Sequence, residues 1–227
     1  MTAGTRSAFT RPASGVVAYR PVGAGLRLAR LHAVSRRVPF ALGLLAAFGA
    51  LLGVALRYHW SMAGGYAVQV LVPLTIQTGA AGVIAVSTYG PFGDPERATG
   101  RWLPWLRLGS ALALTAIAYG LLAAGATAGG VLPGGTLALL RYLAGTAGLG
   151  LLSAVALGGA FGWVGPMAYL LISEVALDGD PTTPWIWAGR PPHDHGAALC
   201  AGAVFLAGLV AITVLGTRNA GNHSTVE

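Results

Sequence analysis

Lysine is missing from this 227-residue chain, and all 14 basic side chains are arginine. Cysteine occurs once, at Cys200, and charged residues of both signs make up only 9%. Each scarcity excludes something. A single cysteine rules out an internal disulfide and a cysteine-based zinc site. Cys200 falls in an apolar run and reads as a small packing residue. A soluble domain carries roughly 25% charge, so a chain with 9% could not cover its surface against water. Catalytic signatures are also absent: there is no G-x-S-x-G, no H-E-x-x-H and no G-x-x-x-x-G-K-[ST] phosphate loop. No catalysis and no cofactor are therefore expected, and if ATP drives this protein another chain must bind it.

What is present is apolar. Hydrophobic residues make up 55% of the chain, and mean hydropathy is +0.67. Disorder needs the opposite balance, and the 35 glycines show no collagen period of three. The remaining class is a protein whose solvent is lipid. The bias toward Arg, Ala, Gly, Leu and Pro suggests a GC-rich bacterial genome. A net charge of +7 would suit nucleic acid, but seven arginines lie before residue 38 and the rest flank apolar runs. That is the pattern of a membrane protein, so nucleic-acid binding is not expected.

A bilayer core takes about 20 apolar helical residues. On that scale the sequence predicts an all-α, polytopic bundle with six spans, at 39–57, 65–89, 107–127, 136–158, 161–178 and 196–216. Residues 1–23 read as a flexible cytoplasmic tail, 24–37 as a basic interfacial segment, 38–216 as the transmembrane domain and 217–227 as a second tail. Spans four and five are joined only by Gly158, Gly159 and Ala160, which predicts a tight helical hairpin. Pro166 falls early in span five, where proline is best tolerated. Arginine counts set the orientation. The N-terminal tail, Arg97, Arg101, Arg107 and Arg218 fall on one side, and Arg57, Arg141 and Arg190 on the other. Both termini are thus expected in the cytoplasm of a bacterial plasma-membrane protein.

Four groups of residues could carry function. Gln69, Pro73 and Gln77 share one face of span two, with Thr75, Thr78 and Ser87 adding polarity. An unpaired amide in hydrocarbon costs several kcal/mol, so Gln69, Gln77 and Thr78 should line a substrate path or a helix interface. The loop 90–107 has Asp94 as an N-cap, Pro95 at the first helical position and Glu96 in the first turn of a short helix to Leu103. Trp102 and Trp105 would anchor it at headgroup level. With Arg97 and Arg101 it reads as a docking element or as an ordinary anchored loop. Arg141 and Glu174 are the charges nearest the membrane interior, on the outer side, either paired or reaching to the interface. His193, Asp194 and His195 would need Asp178 or Asp180 to complete a metal site. They also read as the solvated cap of span six, and no metal is expected. Trp185 and Trp187 read as an outer aromatic belt.

Several features together resemble the six-span permease subunits of type-II ABC exporters. They are the basic segment 24–37, the polar second span, the charged helix at 94–103, the near-continuous fourth and fifth spans, and the loop before span six. The segments GDPERATGRWLPWLRL and LLRYLAGTAGLGLLSAVALGGAFGWVGPMAYLL look like those of small membrane proteins that accompany ABC ATPases. This resemblance implies a cytoplasmic ATPase partner facing Asp94, Glu96, Arg97 and Arg101, and a second permease copy or homologous permease chain. The chain departs from the family in being short, with small outer loops. Two other readings stand beside it: a non-catalytic scaffold or accessory subunit, and a secondary transporter or membrane-embedded enzyme. Proton coupling usually needs carboxylates within the spans, and only Glu174 comes close.

Overall fold

A computed structural model describes residues 38–58, 66–88, 103–130, 134–177 and 184–215. The expectations for the two tails, for the segment 24–37 and for the loop carrying Asp94, Glu96, Arg97 and Arg101 lie outside these residues. Among the described residues the fold is all-α. Six helices follow in order: α1 (Val38–Arg57), α2 (Tyr66–Ser87), α3 (Leu103–Gly129), α4 (Gly135–Ala156), α5 (Val164–Leu177) and α6 (His195–Val214). A single 3-10 turn, Gly159–Phe161, joins α4 to α5.

Four of these helices, α1, α3, α4 and α6, are long and apolar enough to cross a membrane. At about 1.5 Å per residue, some 20 residues span the roughly 30 Å hydrocarbon layer. The helix α5 has only 14 residues, and α2 carries a shorter apolar stretch, Leu71–Ser87. The exposed surface is apolar too. On α6, Leu199, Leu206, Val210 and Val214 are 61% to 75% exposed, which in water would be an aggregation face and in lipid is the matching solvent.

Close contacts fix the direction of every helix. Gly49 and Gly53 of α1 lie against Leu121, Gly125 and Gly129 of α3 in rising order, so α1 and α3 are parallel. Thr78 meets Tyr142 and Ala85 meets Gly150, so α2 and α4 are parallel. Gly148 packs on Val204 and Phe205, and Gly208 on Leu151, which makes α4 and α6 parallel. By contrast Gly165 packs on Ser153 and Leu149, while Tyr169 pairs with Tyr142, so α5 runs against α4. The start of α3 (Leu108, Ala111) packs on the end of α6 (Leu209, Ile212), so these two are antiparallel. The odd helices therefore run one way and the even helices the other. The helix termini therefore gather at two ends, here named the Arg57 end and the Arg107 end.

The helices pack by small residues. Lipid tails are as apolar as leucine, so association in a membrane relies on close van der Waals fit. Gly49-x-x-x-Gly53 and Gly125-x-x-x-Gly129 bring the α1 and α3 backbones into direct contact: a Cβ on Gly53 would lie 2.9 Å from the Gly125 carbonyl oxygen. Larger side chains, Leu45, Leu52, Ile84, Leu122 and Leu143, fill the core beside this seam. The helix α4 is central, with 61% of its apolar window buried against 28% in α1 and α6.

The expected hairpin between α4 and α5 is present. Gly158 makes the reversal possible with φ of 106°, a left-handed conformation that costs side-chain-bearing residues heavily. Pro166 sits at the third position of α5 and is fully buried. The helix α3 begins four residues before the expected start of span three, because Pro104 falls in its first turn, where no N–H is needed. Exposed aromatic rings mark both ends: Phe40, Trp105, Phe161 and Trp163 at one, Tyr58 and Trp185 at the other.

Candidate functional site

The polar face of α2 is turned inward. Gln77 and Thr78 are buried. Thr78 Oγ1 donates to the Leu74 carbonyl at 2.8 Å, so its 2.8 Å contact with Tyr142 must be donated by the tyrosine hydroxyl. This bond ties α2 to α4 through the bundle interior. Gln77 Nε2 donates to the Pro73 carbonyl of its own helix at 3.2 Å. Gln77 Oε1 is buried with no hydrogen-bond partner among the described residues. Thr75 faces outward and is tied to the Leu71 carbonyl. The side chain of Gln69 lies outside the described residues.

From Tyr142 an aromatic column leads to the Arg57 end. Its ring lies 6.1 Å from that of Tyr169, and Tyr169 stacks on Trp187 at 4.3 Å with the planes 14° apart. Stacking of this kind adds about 0.5–1.5 kcal/mol beyond area burial. The segment 184–194, which precedes α6, folds into the mouth of the bundle as a strap. Ile186 and Trp187 are both 3% exposed. Tyr169 OH donates to the Trp185 carbonyl and accepts from the Ala188 N–H, each at 3.3 Å. Trp187 is thus not part of an outer belt. Its indole covers Gly145, where a Cβ would come within 2.6 Å of the ring. Trp185, at 42% exposed, keeps the belt position.

Arg141 fastens the other half of the strap. Its guanidinium donates through Nη1 to the Pro191 carbonyl at 2.7 Å and through Nη2 to the Arg190 carbonyl at 2.6 Å. The side chain is 7% exposed. Of the two expectations for Arg141, pairing with Glu174 or reaching to the interface, the geometry gives a third arrangement: a clasp on main-chain carbonyls. The residue lies nearly two turns inside α4, where the strap covers it. Glu174 is half-buried on α5.

Asp194 caps α6, accepting the Ala197 N–H at 3.1 Å, as the sequence suggested. It also forms an ion pair with Arg190 at 2.6 Å. The Ala197 N–H, helped by Arg190, holds the Asp194 carboxyl below the usual carboxylate range against a smaller opposing push from burial. His193 and His195 are exposed on either side. Among the described residues no three potential ligands converge on a metal position, and Asp178 and Asp180 lie outside those residues.

Sequence reasoning found Gln77, Thr78 and Arg141 but missed Tyr142, Tyr169 and the inward fold of the strap. The available signal was the Trp-Ile-Trp run at 185–187, a dense apolar patch in a loop otherwise built of Pro, Gly and charge. No family model, curated protein or solved structure matches this chain.

Proposed function

We propose that this protein is a six-span permease subunit of an ABC-type exporter in a bacterial plasma membrane, with ATP hydrolysed by a separate chain. The observation that carries the reading is the strict alternation of helix direction. With α2 and α5 counted as spans, it assigns Arg57, Arg141 and Arg190 to one end. The start of α3 lies at the other end, and in this reading the loop bearing Arg97 and Arg101 and both chain termini belong there too. On this reading the arginine imbalance supports a cytoplasmic Arg107 end. The charged segment with Asp94, Glu96, Arg97 and Arg101 then joins α2 to α3 on the cytoplasmic side, where an ATPase would dock. The inward polar face of α2, with Gln77 buried and Thr78 bonded to Tyr142 of α4, supports a polar bundle interior.

Two measurements test this. In a Cys200→Ser background, cysteines placed at residues 10 and 190 should label from opposite faces of the membrane. Labelling of both from one face would overturn the topology. Charge reversal at Glu96 or Arg97 should abolish association with a co-expressed nucleotide-binding chain while the thermal transition of the protein stays in place. Unchanged association would remove the docking role.

A second reading, a non-catalytic scaffold or accessory subunit, is favoured by one observation. The Thr78–Tyr142 bond and the α1–α3 glycine seam spend the polar and small residues on packing helices together. Purified protein that shows no transport with any ATPase, while holding a partner chain in place, would select it.

A further inference from the structure

We propose that the Trp187 indole occupies a binding slot for a flat, uncharged aromatic ring. Such a ligand displaces the indole by lifting residues 185–189, while Arg141 keeps its hold on the rest of the strap. The proposal rests on the geometry of the strap and stands whether or not an ATPase works with this chain.

The first argument is the shape of the slot. Its floor is Gly145 of α4, where a Cβ would come within 2.6 Å of the ring. One wall is the ring of Tyr169 on α5, which lies 4.3 Å from the indole with the planes 14° apart. Tyr142, Leu74 and Leu170 pack in the same cluster. A bare backbone below and a tyrosine face alongside accept a plane, and stacked aromatic rings gain beyond the area they bury.

The second argument is how poorly indole suits the place it fills. Trp187 is 3% exposed although it belongs to no helix, and segments between elements normally run over the surface. Its Nε1 is buried with no acceptor among the described residues. Buried donors are almost always paired in native structures, and an unpaired one carries its full desolvation penalty. The slot therefore holds the indole as a flat hydrocarbon. A ring of the same outline without an N–H fits it better than the side chain that is there.

The third argument is the uneven fastening of the strap. Around the indole the bonds are long. Tyr169 OH to the Trp185 carbonyl, the Ala188 N–H to Tyr169 OH, and the Gly189 N–H to the Ile186 carbonyl are each 3.3 Å, at or beyond the ordinary range. Past Gly189 they shorten. Arg141 holds the Pro191 and Arg190 carbonyls at 2.7 and 2.6 Å, and the Asp194 N–H donates to the Pro191 carbonyl at 3.1 Å. Gly189, exposed, marks the junction between a loosely held plug and a tightly held clasp. With its fork closed on both carbonyls, Arg141 is the tether that returns the indole when the ligand leaves.

The test uses the full chain in maltoside micelles and three probes: benzothiophene, indole and cis-decalin. Benzothiophene has the outline of indole without the N–H, and decalin has similar bulk but is not flat. The probes are compared at equal mole fraction in the micelle, so that partitioning into detergent cancels. Hydrogen exchange of the Ala188, Gly189 and Asp194 amides is followed by mass spectrometry. Benzothiophene should give a saturable rise at Ala188 and Gly189 and none at Asp194. Indole should need about tenfold more for the same rise, the equivalent of one unpaired buried donor, and decalin should give none. In Trp187→Ala the slot is open, so benzothiophene should raise the thermal midpoint. It should not do so when Gly145→Leu fills the floor as well. Wild-type exchange that is unchanged by all three probes, or that rises equally with decalin, overturns the proposal. A rise at Asp194 as large as that at Gly189 overturns the tether.

Discussion

The α1–α3 seam and the α4–strap seam hold this bundle by opposite means. Along α1 and α3 nothing polar is involved: Gly49, Gly53, Gly125 and Gly129 let two backbones touch, and fit alone holds them. At the mouth, the Arg141 fork of α4 and the ring and hydroxyl of Tyr169 on α5 hold the strap, and Arg141 Nε and Trp187 Nε1 have no acceptor among the described residues. The first seam has no alternative arrangement, because any displacement only loses contacts. The second has one, since water can replace the polar bonds that the strap supplies. Permanence and exchangeability thus sit at different places in one bundle.

The largest effect is expected where fit is tightest. A side chain on Gly125 would run into the backbone of Gly49. Gly125→Val should cost about 3 kcal/mol or more and remove the cooperative thermal transition in detergent. Gly43→Val, at a position with nothing within 4 Å of a Cβ, should melt nearly as the parent does. Equal melting of the two variants would break the contrast between the seams.

Gly145→Ala tests the mouth. Its Cβ meets an indole rather than a backbone, so the strap can give way, at a cost of about 1–2 kcal/mol. Tryptophan emission should shift to the red as Trp187 leaves its pocket. A blue or unchanged spectrum would mean that the indole is not lodged over Gly145.

Tyr142→Phe removes the donor to Thr78 while leaving the ring. Interhelical hydrogen bonds in membranes are worth about 0.6–2 kcal/mol, so a small drop in thermal midpoint is expected. A drop as large as that of Gly125→Val would show that the polar interior, not the glycine seam, dominates stability.

The smallest effect is a pH limb at Asp194. Its carboxyl is held below the usual range, so the cap is fully present above the unfolded-chain value near 3.9. It is lost as pH falls through the lower folded value. The thermal midpoint should be flat from neutral pH down to about 5 and fall below about 4. Asp194→Asn still caps the helix and should flatten that acid limb. Persistence of the same limb in the variant would assign it to another carboxylate.

The helices themselves were legible because apolar runs bounded by Gly, Pro and Arg leave few choices. The turn at Gly158 could be read from three small uncharged residues between two runs. The inward position of Gln77 and Thr78 followed from the cost of exposing an amide to lipid. What resisted was whatever depends on meeting a distant element. Trp187 and Trp185 are two residues apart and chemically identical, yet one is buried and the other lies at the surface. Only the placement of Tyr169 and Gly145 separates them. Arg141 was recognisable as a charge near the membrane interior, but its partners are carbonyls about 50 residues away, and a main-chain oxygen leaves no trace in residue type.

The glycine contacts also divide the molecule mechanically. Helices α1 and α3 meet backbone to backbone, and so do α4 and α6 at Gly148 and Gly208. Each pair behaves as a single thick rod with no side chains to slide over. Rocking or shear within the protein must then pass between the two rods, across α2 and the contact of α3 with α6, while the strap rides with α4 and α5.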